Sequence, residues 1–130
     1  MKCHCDSGHH WKDCCAPLLL QGKSAPTAEA LMRSRYVAYV RRDGDYLYKT
    51  WASTTRPSKA SLKQLVPTDW QGLTVIRTEL GGLEDESGVV EFIARWRDEQ
   101  GAGYEMHEVS EFLREKGRWV YVKAQASEAA

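Results

Sequence analysis

The hydrophobic and polar positions of this chain change period once, near Trp70. Before that point apolar residues recur at helical spacing. At 100° per residue, Ala28, Leu31, Met32, Ala38 and Tyr39 fall on one face, with Arg35 near its centre. Thr27 is a suitable N-cap and follows Pro26, so a helix is predicted from there to about Arg42, broken by Gly44. The stretch Asp45 to Trp51 reads as a second, short helix dense in aromatics. Ser58 can cap a third through Leu65, which Pro67 ends. Beyond Trp70 the period is two. Leu73 to Glu79 predicts a first strand, and Gly81-Gly82 to Ser87-Gly88 a hairpin connection. Val89 to Arg97 predicts a second strand, with Val90, Phe92, Ala94 and Trp96 on one side. After a turn at residues 100–103, a third strand from Tyr104 to Arg114 puts Tyr104, Met106, Glu108, Ser110 and Phe112 on one face. Lys116-Gly117 signals a hairpin into the fourth strand, Arg118 to Lys123.

Helices followed by an antiparallel meander of four strands predict an α+β domain of two layers. Short hairpins need only one covered face, and the helices supply the cover. If the sheet curves, the result is a cone with a pocket between the first helix and the sheet. The chain then divides into a small element at residues 1–15, a linker at 16–26, the main domain at 27–124 and a flexible tail at 125–130.

Arg35 breaks the pattern of its helix. A guanidinium inside an apolar stripe demands a carboxylate or several carbonyl partners. Glu108, inward on the third strand, is the predicted partner, whereas His107 alternates to the other face. Arg35, Tyr36, Trp51, Arg56, Glu108 and Ser110 are the candidate pocket residues. An Arg35–Glu108 pair reads as a structural lock before a catalytic one, since buried ion pairs perturb pKa values without implying turnover. No phosphate loop, nucleophile elbow or paired-carboxylate motif is present, so no residue is assigned a catalytic role.

Charge adds an exclusion. Lysine plus arginine equals aspartate plus glutamate at 18 each, so there is no global attraction to nucleic acid or anionic lipid. The longest apolar run, Pro17 to Leu20, is too short to span a bilayer or to serve as a signal core.

The cysteines carry the clearest chemistry. Cys3, Cys5, Cys14 and Cys15 are the only ones in the chain, and all fall in its first fifteen residues. Four thiolates at two short spacings across a loop that Ser7-Gly8 can turn are what a tetrahedral zinc ion requires. Such a site contributes folding energy directly to a segment with almost no core. A closed thiolate shell leaves no position for substrate, which makes the zinc structural. Disulfides, free thiols and a redox switch are the competing readings, and the spacing places zinc ahead of them. His4, His9 and His10 then face solvent. Reduced cysteines in a metal pattern point to the cytoplasm.

Cys3-His4-Cys5-Asp6-Ser7-Gly8 followed by Cys14-Cys15 resembles the SEC-C motif, the zinc element at the C-terminal end of the translocation ATPase SecA. The usual proline is His4 here and the first glycine is Asp6. In the main domain, Leu31 to Tyr36, Asp45-Tyr46-Leu47, Thr50-Trp51, Trp70 to Leu73, His107 to Phe112 and Arg118 to Val122 resemble the YchJ family. That resemblance implies a SEC-C knuckle ahead of a cystatin-like, nuclear-transport-factor-like cone. The chain departs from the family at Ala52-Ser53, where relatives commonly have His-Pro, and at Val109 and Glu111, where they have arginine. SEC-C elements of SecA touch the export chaperone SecB and ribosomes. The resemblance therefore implies an adaptor with a protein or ribonucleoprotein partner, met by His9, His10, Trp11 and Lys12. The alternative is a small molecule bound in the cone pocket. Cones of this kind also pair through the open face of the sheet, here Glu91, Ile93, Arg95, Val109 and Leu113.

Overall fold

The computed structural model describes residues 1–125. Helix α2, Ala28–Arg41, begins where Thr27 Oγ1 accepts the amide of Ala30 at 3.1 Å, a cap of about 1 kcal/mol. It ends at Arg42, whose left-handed backbone turns its amide back to the carbonyls of Ala38 and Tyr39. The helix is buried on more than one face: Ser34 and Val37 are as enclosed as Leu31. The sheet covers one side, while the cysteine knuckle and α3, Gly44–Lys49, cover others. At the α2–α3 crossing the Ser34 hydroxyl donates to the Leu31 carbonyl at 2.7 Å and accepts from Tyr46 at 2.7 Å. Helix α4, Lys59–Leu62, is capped by Ser58 and stops short of the predicted Leu65.

The sheet is the predicted meander. Strands β1 (Asp69–Leu80), β2 (Ser87–Arg97), β3 (Gly103–Glu115) and β4 (Arg118–Ala124) lie antiparallel in the order β1-β2-β3-β4. Register pairs Ala94 with Met106, Phe92 with Glu108 and Val90 with Ser110, which turns all six side chains toward α2. β1 bulges between Trp70 and Gly72 and again between Val75 and Arg77, and β4 shifts register against β3 at Phe112. Bulges bend a strand; the sheet is neither closed nor strongly curled.

Residues 16–26 are not simply the linker that their prolines and glycine predict. Ala16–Gln21 form helix α1, with Pro17 in its first turn and Gly22 in the left-handed C-terminal position. Ala25 is buried, and Arg118 donates to the Ser24 hydroxyl and the Gly22 carbonyl, both at 2.8 Å. The segment is fastened to the start of β4. Most of the predicted tail lies at 126–130, outside the described residues. Among the described residues no helix is long and apolar enough to cross a membrane.

Candidate metal centre

The knuckle is a tight loop closed by backbone bonds. The Cys3 amide donates to the His9 carbonyl at 2.9 Å, and Lys2 bridges His10. Asp6 and Gly8 both take positive φ, which lets the chain reverse twice within a few residues. The 3-10 turn Trp11–Asp13 starts at His10, whose Nδ1 accepts the Lys12 amide at 3.2 Å. This folding brings the sulfurs of Cys3, Cys5, Cys14 and Cys15 within 4.8 Å of one another. Cys5 and Cys14 are 3.5 Å apart, and Cys14 and Cys15 3.8 Å. Thiolates at about 2.3 Å from a tetrahedral ion lie about 3.8 Å from each other, so the set fits such an ion.

Burial sharpens the case. Cys3, Cys5 and Cys15 are buried, and Cys14 is half-buried. Burial pushes the Cys3 thiol up to about 11. A hydrogen bond shared between Cys5 and Cys15 holds the Cys5 thiol low and pushes the Cys15 thiol up. Four thiolates so enclosed are stable only with a cation among them. Ser7 Oγ approaches Cys14 Sγ at 3.1 Å, and Arg33 donates to the Cys5 carbonyl at 2.7 Å while pairing with Glu29 at 3.0 Å. These contacts orient the ligands from outside. Among the described residues the set is these four cysteines, enough to complete a tetrahedral shell around one ion.

The knuckle is docked on the main domain. Asp6 Oδ2 accepts the amide of Leu73 at 3.0 Å, beside the first bulge of β1. Aspartate at the position that is usually glycine in the motif therefore acts as a clamp. Gly72 is shaped for it: its φ is +148°, and a Cβ there would lie 2.7 Å from the Asp6 carboxylate. Gly72→Ala is expected to destabilise the protein by about 1–3 kcal/mol, read as a lower melting temperature. Of the residues predicted to meet a partner, His9, His10 and Lys12 are exposed. Trp11 is half-buried, with the Arg41 guanidinium 5.4 Å from its ring.

A second site lies between α2 and the sheet, where a cavity of about 250 Å³ opens. Arg35, Tyr36, Trp51, Glu108 and Ser110 all line it. Arg56 does not: it is exposed and lies over the Tyr48 ring at 4.1 Å. Tyr39, Trp70, Met106 and Tyr121 also line the cavity. These four were missed because aromatic and methionine side chains at core spacing read as filling; Met106 sits on the inward alternation of β3 and could have been found there.

The Arg35–Glu108 pair expected from the sequence does not form. Arg35 is 4% exposed, and none of the ion pairs among the described residues includes it. Its Nη1 donates instead to the Leu47 carbonyl at 3.0 Å and the Thr50 hydroxyl at 2.8 Å. Its guanidinium lies over the rings of Trp51 and Tyr121, at 4.7 and 4.8 Å. The helix that follows α2, together with two aromatic faces, does the work assigned to a carboxylate. Burial still lowers the Arg35 pKa to about 10. Glu108 Oε2 accepts from Ser110 at 2.5 Å and from Tyr121 at 3.4 Å.

His107 points away from the cavity, as the alternation predicts, and meets Glu91 at 2.5 Å; Arg77 reaches the same carboxylate at 2.7 Å. His107 and then Arg77 hold the Glu91 pKa below its ordinary 4.5. A depressed folded-state pKa gives stability that is present above pH 4.5 and lost as pH falls through the lowered value. Glu91→Gln is expected to flatten that part of the acid-unfolding profile, measured by melting temperature against pH.

A four-cysteine knuckle seated on helices that cover an open antiparallel sheet is the architecture of a SEC-C motif protein with a nuclear-transport-factor-like domain. The family model described as the YchJ middle NTF2-like domain matches residues 27–124, and the chain belongs to the YchJ family. It is 44% identical over 122 residues to a UPF0225 protein of Xanthomonas oryzae pv. oryzae, covering 94% of this chain and 92% of the relative. It is 46% identical over 121 residues to a UPF0225 protein of Chromobacterium violaceum, covering 92% and 89%. The solution structure of a SEC-C motif containing protein from Rhodopseudomonas palustris superposes with a TM-score of 0.86 at 37% identity, over 98% of this chain and 100% of that one. The crystal structure of a SEC-C motif containing protein from Psychrobacter arcticus gives 0.75 at 27% identity, over 98% and 84%.

Proposed function

We propose that the knuckle carries Zn²⁺ as a structural ion and that the main domain binds a small organic molecule in the cavity between α2 and the sheet. The cavity itself carries this reading. It is not filled by the chain's own aromatics, and polar groups from α2 (Arg35) and β3 (Glu108, Ser110) converge on a mostly apolar wall. Thiolate donors in a closed tetrahedral set select zinc over magnesium, calcium or manganese, which prefer oxygen. Four cysteines in a metal-binding pattern favour a reducing compartment, the cytoplasm. The test is extraction and mass spectrometry of small molecules from freshly purified protein, beside ligand-observed NMR with an uncharged fragment set. Met106→Trp, which blocks the partly exposed lip of the cavity, is the control. A ligand lost in the variant supports the reading. Fragments that bind both forms equally, or neither, overturn it.

The adaptor is the second reading. What favours it is that His9 and Lys12 are exposed on an element held rigidly by Asp6 and Arg33. Its partner is a protein or ribonucleoprotein of the export-chaperone or ribosome type. His9→Ala combined with Lys12→Ala leaves the metal in place, and Cys14→Ser removes it. An adaptor loses its partner in both; a partner retained in both removes the reading.

A further inference from the structure

Resting on the cavity reading, we infer that the cavity selects a small, flat aromatic carboxylate that also bears a hydrogen-bond donor, with Arg35 receiving the carboxylate and Glu108 the donor.

Arg35 keeps its buried charge with carbonyl, hydroxyl and ring-face contacts but without an anion. Arg35 is buried, yet both of its hydrogen bonds among the described residues leave from Nη1, and both acceptors are neutral. Among the described residues no carboxylate lies within ion-pair distance of it. A buried cation is retained at a cost in solvation, and the cost is recovered when an anion arrives. A guanidinium presents further N–H groups beyond Nη1, in a fork that matches a carboxylate. The side chain borders the cavity, so a bound molecule can reach it.

Glu108 supplies the second recognition element. Its Oε2 is already the acceptor for Ser110 and Tyr121, which fixes the carboxylate on the inward face of β3. Oε1 takes no hydrogen bond among the described residues and is free to accept one from a ligand. A hydroxyl or amine donor there also separates the ligand's own carboxylate from Glu108, avoiding a like-charge contact.

Shape follows from the walls. Trp51 and Tyr121 meet edge to face at 5.2 Å, and Tyr36 and Trp70 at 5.7 Å, leaving ring faces and edges with Phe92 around the space. Aromatic walls favour a flat apolar body. An engineered cavity of about 150 Å³ holds benzene, so 250 Å³ holds a substituted benzene or a small bicyclic ring.

The test uses the full chain loaded with Zn²⁺ and four probes: benzoate, 4-hydroxybenzoate, 4-hydroxybenzamide and 4-hydroxybenzylamine. Affinities come from calorimetry, and location from amide shifts at α2 and β3. The expected order is 4-hydroxybenzoate first, then benzoate, with the amide at least tenfold weaker than 4-hydroxybenzoate and the amine weaker still. Arg35→Met should erase the advantage of 4-hydroxybenzoate over the amide, and its melting temperature reports whether it has folded. Glu108→Leu should erase the advantage of 4-hydroxybenzoate over benzoate while keeping the preference for carboxylates. Glu108 is half-buried, so this variant tests the inference even if Arg35→Met fails to fold. An amide or amine that binds as tightly as the carboxylates overturns the inference and leaves the cavity reading standing. No binding by any probe also overturns it, and the cavity reading then depends on the Met106→Trp comparison.

Discussion

Serine in place of Cys5 is expected to strip the reduced, purified protein of its metal and to lower its melting temperature by roughly 10–20 °C, a loss on the order of 3–5 kcal/mol. Cys5 is fully buried, its sulfur lies 3.5 Å from that of Cys14, and its carbonyl is the acceptor for Arg33. A serine hydroxyl does not ionise at neutral pH and is a poor ligand for zinc, so the site falls to three donors. The knuckle's polar contacts with the body include Asp6 on the Leu73 amide, Arg33 on the Cys5 carbonyl and Trp11 beneath Arg41, and its cysteines pack into the edge of the core. With the metal lost, those contacts are expected to loosen together. Elemental analysis should give about one zinc per wild-type chain and none in the variant. Hydrogen exchange should lose protection at Cys3 and Leu73 and keep it across β2 and β3. Wild-type protein that retains no metal when reduced and supplied with Zn²⁺ would remove the structural-ion reading.

The metal site and the cavity are not independent. Tyr36 and Trp70 line the cavity on one side and the cleft beneath Lys2, Cys3 and His4 on the other. The Asp6 clamp sits three residues beyond Trp70, at Leu73, across the first bulge of β1. Releasing the knuckle therefore frees one wall of the cavity. The Cys5→Ser protein should bind the aromatic probes more weakly even though no ligand atom touches a cysteine. On the cavity reading, the short N-terminal element would then have a role that needs no partner, bracing β1 through Asp6 and α2 through Arg33.

Much of this was legible in the residue pattern, and the failures have physical causes. Thr27 announced α2 because an N-cap is local chemistry: the hydroxyl bonds an amide three residues away. The inward faces of β2 and β3 were legible because side chains alternate strictly along a strand. The cysteine spacing pointed to the cluster of four close sulfurs for the same local reason. Helix α1 was misread because Pro17 and Gly22 look like linker residues when taken singly. Proline in the first turn and glycine just past the end are also the marks of a helix. The partner of Arg35 was misassigned because a stripe of residues shows that a charge is buried but not what surrounds it. A carbonyl at Leu47 and the faces of Trp51 and Tyr121 have no sequence signature as cation acceptors. The Asp6–Leu73 clamp spans 67 positions, and nothing local in either segment foretells it.

Arg35 yields the second large effect, and its direction depends on the replacement. Arg35→Ala should cost about 3–5 kcal/mol, because truncation enlarges the existing cavity and leaves the rings of Trp51 and Tyr121 without their neighbour. Arg35→Met should stay within about 1 kcal/mol of wild type or exceed it, because methionine refills most of the volume and removes a buried charge. Little is stranded by that change. Thr50 Oγ1 keeps its bond to the Tyr46 carbonyl at 2.7 Å and lies 3.4 Å from the Leu47 carbonyl that Arg35 leaves. Lysine is expected to do worse than methionine, since it keeps the charge but loses the planar stack and the geometry of the fork. Chemical denaturation of the three variants measures the order. Methionine at or above wild-type stability means that the guanidinium is kept for what enters the cavity rather than for the fold. A loss above about 3 kcal/mol in Arg35→Met would instead make it a structural lock between α2 and α3, and the proposed carboxylate subsite would lose its foundation.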